Sequence, residues 1–392
     1  MFLRLLAYFV PFAINFLNGG FFFITALRFS QANCSAVTVG CAVTAWGVAY
    51  CLTTPLVGKF SNEKNALKFI LAGGIMLSAV SAGFIIFFNH IYSQFVFLTL
   101  AGLGGALFCT PFQLLAKRIE SGSKRGTVSA TAFYTATWSI GFASGPLAFA
   151  RLAPRSGFFV TLALAILVTL SVIAIACIQR KQKPALPDCP MPETKAPQSI
   201  FSESTYTRLA ILGWIVGGLG TVTICQIRTM WPKLGAELNF PRDHIAYVLA
   251  LVSYVQAFVA ILLCNSKSWM WKRFPAVLMS ACGVSSLLLF AFANNLWIFY
   301  LAAVIYGTYT GSLYFYLVYH SLAHPKRSNF FVAGNEVIVG VTSMLSPLLG
   351  GALADIFKFT GSAFIFAAMI TTAAFICQLV MLAPKKIQQL VD

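Results

Sequence analysis

One carboxylate in this chain stands apart from the other nine. Nine of the ten acidic residues fall in polar loops or at the ends of apolar stretches; Glu336 sits inside one, in AGNEVIVG beside Asn335. An unpaired charge in a hydrocarbon layer costs about 2.5 to 3.5 kcal/mol on insertion scales, so such a group is protonated, solvated or paired. Two readings stay open: a coupling carboxylate that carries a proton or binds a cation, with Asn335 as its neighbour, or a hydrogen-bonded strut between the two halves, to the N-terminal bundle. Arg28 and Arg228 lie near the ends of apolar stretches on one common side. A guanidinium fork there can capture a carboxylate or phosphate, and it can equally snorkel to headgroups. Tyr306, Tyr309 and Tyr316 follow an i, i+3, i+10 spacing, within about one helix face. Their rings and hydroxyls suit an organic solute with apolar and polar parts, while Tyr316 also fits an interfacial belt. Tyr134 and Trp138, one turn apart, can extend that wall or fill a core.

Other chemistries lack their parts. His90, His244, His320 and His324 fall at helix ends without ligand spacing, and the ten cysteines contain no C-x-x-C pair. Small apolar filler is the reading for most of those thiols. The chain has no G-x-x-x-x-G-K-[ST] loop to hold ATP phosphates. Neither a metal nor a cofactor is expected, and a lipid-acting enzyme would need a nucleophile and base that the spacing does not bring together.

The elements that must position these residues are apolar stretches long enough to cross a bilayer. Hydrophobic residues make up 59% of the 392-residue chain and charged ones 9%, which fits one membrane body rather than several soluble domains. Six helices are expected near Leu5–Leu27, Ala36–Val57, Leu67–Phe88, Phe95–Leu115, Val128–Leu152 and Phe158–Ile178. Six more are expected near Leu209–Met230, Ile245–Cys264, Pro275–Ala293, Leu296–Tyr319, Phe330–Leu353 and Ser362–Leu382. Between the sets, residues 180–205 hold Pro184, Pro187, Pro190, Pro192 and Pro197 among charged residues and serines, the composition of a linker. The fold expected is therefore an all-α membrane protein with an N-terminal bundle over 1–179, a cytoplasmic linker over 180–205 and a C-terminal bundle over 206–392.

The net charge of +17 raises a nucleic-acid partner, and its distribution argues against one. With an inside N-terminus, twenty of the 27 basic residues fall on the inward side. Only Arg28, Arg151, Arg155, Arg228, Lys233, Arg242 and Lys358 fall outward. The positive-inside rule then places both termini in the cytoplasm, with a bacterial inner membrane as the expected location. The apolar run after Arg4 is too long for a signal-peptide core and is read as a retained helix.

The two sets of six show weak self-similarity. Gly19-Gly20 matches Gly217-Gly218 at an offset of 198, and Gly145-Pro146 matches Ser346-Pro347 at 201, as two parallel repeats with pseudo-twofold symmetry would. This organisation resembles the major facilitator superfamily of secondary transporters over essentially the whole chain. GFASGPLAFA, with Gly141, Gly145 and Pro146, resembles the helix 5 glycine-proline motif of antiporters in that family. Phe149-Ala150 stands where the motif closes on a glycine pair, whereas SPLLGG keeps the pair as Gly350 and Gly351 after Pro347. Gly58 opens a loop similar to the family's G-x-x-x-D-R-x-G-R-R, with Asn62, Glu63, Asn65 and Ala66 replacing its acid, base, glycine and base. Leu98 stands where the helix 4 motif carries arginine.

The resemblance implies a cavity lined by helices 1, 4, 7 and 10, an interface of helices 2, 5, 8 and 11, and lipid-facing helices 3, 6, 9 and 12. Asn15, Asn18 and Arg28 of helix 1, Gln113 of helix 4, and Gln226 and Arg228 of helix 7 would then bind substrate, joined by Tyr306, Tyr309, Tyr316, Tyr134 and Trp138. Glu336 and Asn335 would serve coupling. Gly141, Gly145, Pro146, Pro347, Gly350 and Gly351 would form surfaces that rock, or else tight static packing. The function expected is transport of a small organic solute by alternating access, as proton-coupled export by antiport. The alternative is an uptake symporter for an organic anion or other nutrient. A channel, a non-transporting sensor and a lipid-acting enzyme are the remaining classes. Substrate, lipid bilayer and protons are the expected partners of a monomer, with no nucleic acid.

Overall fold

The computed structural model describes residues 2–61, 65–120, 126–181, 202–265 and 268–382. The body of the expected linker at 182–201, Asn62 and Glu63 of the motif loop, and Cys189 lie outside these residues. Hydrocarbon offers the backbone no hydrogen-bond partners, so a lipid-exposed chain must pair its own amides in helices. Twelve result: α1 (Phe2–Gln31), α2 (Ala36–Phe60), α3 (Ala66–Ile86), α4 (Ser93–Glu120), α5 (Gly126–Arg151), α6 (Pro154–Lys181), α7 (Glu203–Glu237), α8 (Arg242–Leu263), α9 (Arg273–Phe292), α10 (Leu296–Leu322), α11 (Ser328–Phe357) and α12 (Ser362–Leu382).

Hydropathy marks only the apolar middle of a helix, and several helices run further. α7 spans 35 residues because Ser202 caps it by accepting a hydrogen bond from the Thr205 amide, well before the apolar run begins. Among the described residues eleven helices are long and apolar enough to cross a membrane, and α5 is not among them. Its composition is explained by its place: most of its serines, threonines and glycines are buried against other helices, where protein replaces lipid.

The first six helices pack mainly among themselves, α1 on α5, α2 and α3 on α4, α3 and α1 on α6. The last six do likewise, α8 and α9 on α10, α7 and α9 on α12, α7 on α11. Two long crossings join the sets, α2 on α11 and α5 on α8. The α2–α11 crossing is close because small residues face each other: a Cβ on Gly40 would overlap the Pro347 carbonyl, one on Gly47 the Met344 amide, and one on Gly340 the Cys51 backbone. Gly47→Val is therefore expected to force the two helices apart at a cost of about 1 to 3 kcal/mol, read as a lower melting temperature in detergent. An unchanged melting temperature would show that the crossing can open without loss.

α1 begins and α12 ends at one end of the bundle, the terminal end; the other is the far end. Far-end contacts between the two sets are polar and numerous. Both Asp355 carboxylate oxygens accept backbone amides at the start of α2, from Ala36 and Val37 at 2.9 Å each, where a negative charge also meets the positive end of the helix dipole. Arg151 Nη2 donates to Tyr247 Oη at 3.1 Å, and Lys233 Nζ reaches the Cys34 carbonyl at 3.5 Å. At mid-depth Gln256 Nε2 donates to Ser139 Oγ (2.6 Å) and Thr44 Oγ1 to the Met344 carbonyl (2.8 Å). Toward the terminal end, Tyr50 of α2 and Gln113 of α4 both donate across the sets to Glu336.

Candidate functional site

The central cavity lies between the two sets of helices and contains about 890 Å³ of unfilled space, its mouth included. α1 supplies Asn15, Asn18 and Phe22; α2 supplies Val43, Trp46 and Tyr50; α5 supplies Tyr134, Trp138 and Phe142. From the other side come Thr221, Cys225, Arg228 and Thr229 of α7, Tyr314 of α10, and Asn335, Glu336 and Ser343 of α11. Pro11 helps set the α1 portion: Asn15 Nδ2 donates to its carbonyl at 2.9 Å, which fixes the side chain one turn on. The aromatic wall is mutually braced. Trp46 stacks on Tyr50 (centroids 4.6 Å apart, 15° between planes), Phe22 meets Trp46 edge-on, and Trp138 meets Tyr314 edge-on across the two sets at 4.9 Å.

Arg228 and Glu336 carry the charge of this cavity. The Arg228 guanidinium lies 3.7 Å from the centroid of the Phe142 ring and 5.8 Å from that of Trp138, a cation–π setting. Its Nε and Nη2 are buried and without a hydrogen-bond partner. Those two atoms form one edge of the fork, the edge that matches both oxygens of a carboxylate. Glu336 is different. It is 7% exposed and accepts hydrogen bonds from Tyr50 Oη of α2 and Gln113 Nε2 of α4, so it ties α11 to the first set. Eight residues into α11, it lies about 12 Å from the helix start. This is the geometry of the strut reading, and it leaves the carboxyl on the cavity wall. Asn335 is held within the second set, accepting from Ser321 Oγ at 2.9 Å.

The remaining expected residues separate into two groups. Asn15, Asn18, Tyr134, Trp138, Arg228, Asn335 and Glu336 come together on the cavity, with Gln113 behind Glu336. Arg28, Gln226, Tyr306, Tyr309 and Tyr316 do not line it. Arg28 Nη2 donates to the Phe88 carbonyl at 2.7 Å, and its guanidinium covers the Phe88 ring, bracing the far end of the first set. Gln226 donates to the Ser346 carbonyl at 2.7 Å, and Gly350 leaves the room its amide fills. Tyr306 pairs with Thr223 at 2.6 Å inside the second set, while Tyr309 and Tyr316 line a separate crevice against α9 and α12. At about 100° per residue, Tyr314 lies some 80° from Tyr306 on the side opposite Tyr309 and Tyr316. The tyrosine-rich face points into the second set, and Tyr314, Leu317 and Val318 face the cavity.

The glycines sort similarly. Gly141 and Gly145 press on the backbone of α1 within the first set, as Gly19 does on Phe142, whereas Gly351 presses on Ala36 across the two sets. The sequence reading passes over Tyr50, Trp46, Phe142, Tyr314 and Asp355. Trp46 and Tyr50 do carry a signal, an i, i+4 aromatic pair on an apolar helix, but nothing in one sequence separates that pair from core.

Among the described residues, twelve long helices, eleven of them apolar enough to cross a membrane, surround an aromatic cavity into which a guanidinium edge without a hydrogen-bond partner is set, the architecture of a multi-pass membrane protein. The Major Facilitator Superfamily profile matches residues 5–324, and the chain belongs to that family, a transporter rather than an enzyme. A comparison with curated protein sequences gives no match. Among solved structures the fold is similar to that of the human organic anion transporter MFSD10 (TETRAN), with a TM-score of 0.68 and 12% identity over 95% of this chain and 98% of that one. It is also similar to the nucleoside transporter NupG, with a TM-score of 0.64 and 13% identity over 98% of this chain and all of the other. Likeness at this identity shows the fold.

Proposed function

We propose that this chain is a secondary active carrier that moves a small organic anion by alternating access. Residues 1–179 and 206–392 would be the halves that rock, joined by the linker at 180–205. The observation that carries the reading is the Arg228 fork, whose buried edge has no protein partner in a cavity where Glu336 is already engaged. A buried charge without a partner costs free energy until a counter-ion arrives, so the site favours an anion over a cation. The organic anion named for the human structure is in keeping with this and carries no weight of its own at 12% identity.

Glu336 is proposed as the coupling carboxyl. Ionised, it would repel an anion entering the same cavity; protonated, it would not, so anion and proton load together. That sign favours uptake with protons over the export expected from the helix 5 motif. The far-end contacts between the two sets would, with the termini cytoplasmic, be the outer gate. The location proposed is a bacterial inner membrane, and the working unit a monomer.

The test is counterflow in proteoliposomes preloaded with unlabelled benzoate, lactate or succinate, with the labelled species outside. Saturable accumulation, increased when the outside is acidic, is expected for at least one of them. Flux that never saturates would indicate a channel, and flux of lipophilic cations alone would restore the export reading.

A further inference from the structure

The cavity is more selective than a general anion site, and the geometry points to a flat aromatic monocarboxylate that also bears a neutral hydroxyl or carbonyl group. This inference rests on the proposed anion carrier and narrows its substrate class. The charge balance comes first. Among the described lining residues, Arg228 is the one basic side chain and Glu336 the one acidic one. One fork edge can neutralise one carboxylate, and a second carboxylate would lie unpaired in the cavity with Glu336. The wall comes second. Seven of the twenty-one lining residues are aromatic, six of them on the first set, while the second set adds Tyr314 together with the aliphatic Leu317, Val318 and Val339. Ring pairs add stabilisation beyond the area they bury, which a saturated ring of similar size does not collect.

Two neutral polar atoms come third. On the first set, Asn18 Oδ1 and Trp46 Nε1 are both buried, line the cavity and lack partners, the first an acceptor and the second a donor. Neither is charged, so each calls for a neutral group: a hydroxyl donating to Asn18, or a carbonyl or phenol oxygen accepting from Trp46. Leaving them unmatched is costly in a buried site, which makes them specificity determinants.

Calorimetric titration of the detergent-purified full-length protein tests this with 4-hydroxybenzoate, benzoate, cyclohexanecarboxylate and terephthalate. Expected is 4-hydroxybenzoate binding about tenfold tighter than cyclohexanecarboxylate, with terephthalate weaker than both. Arg228→Lys should weaken every anion together, and Asn18→Leu should bring 4-hydroxybenzoate down to benzoate. The wild-type ligand series needs no variant to fold. If the saturated acid or the dianion binds as well as 4-hydroxybenzoate and Arg228→Lys still weakens it, the aromatic monoanion is overturned and the anion carrier stands. If no anion binds in an Arg228-dependent way, both fall.

Discussion

Replacing Arg228 by alanine should remove anion binding while leaving the empty protein as stable as before, or more so. Truncating one partner of a buried, hydrogen-bonded charge pair costs about 2 to 5 kcal/mol of binding, roughly 30-fold to several thousand-fold in affinity. In the empty protein the same guanidinium edge has no partner. Deleting it removes a desolvated charge and costs the fold little more than the packing of Arg228 on Phe142. The signature is therefore a divorce between two melting temperatures: the unliganded one holds, and the rise produced by ligand vanishes. A ligand at about 100 times its dissociation constant adds roughly 2.7 kcal/mol to the wild type, enough to read as a thermal shift. A structural arginine would behave in the opposite way, with the empty variant melting early.

Glu336→Ala should behave as a broken strut. It leaves the Tyr50 hydroxyl and the Gln113 amide without the carboxylate that accepts from both, in a buried site between α2, α4 and α11. Each orphaned group costs about 1 to 3 kcal/mol, and several degrees of melting temperature should go with them. Glu336→Gln keeps the shape and one accepting oxygen, so it should melt later than Glu336→Ala. It cannot titrate, so counterflow should persist and its stimulation by an outside acid pulse should not. Equal melting of wild type and Glu336→Ala would remove the strut, and acid stimulation surviving in Glu336→Gln would remove the coupling role.

These two residues were readable in the sequence because charge is rare in a helix that must cross lipid, so each charged side chain there marks itself. The twelve helices were readable for the same reason, through apolar length. What could not be read is which face of a helix meets the cavity when all its faces are apolar. α10 shows this: Tyr306, Tyr309 and Tyr316 share a face, and that face packs into the second set while Tyr314 enters the cavity. In water a polar stripe would reveal the orientation; between lipid and protein the contrast disappears. α5 errs the other way, its small polar residues buried between helices rather than facing solute. The Asp355 clamp on α2 was hidden because it joins two helix ends 318 residues or more apart in sequence, with a backbone amide as its partner.

The central claim is that one cavity opens alternately to either face, and two distances measure it directly. Spin labels at the exposed far-end positions Ala32 and Ile356, and in a second variant at Lys59 and Asn329 of the terminal end, would be introduced on a background without native cysteines in lipid nanodiscs. Pulsed dipolar spectroscopy should find two distances for each pair, with the far-end pair lengthening as the terminal-end pair shortens. Adding an anion that binds at Arg228 should shift their populations. A single distance for each pair, unmoved by that anion and by pH, would contradict the account.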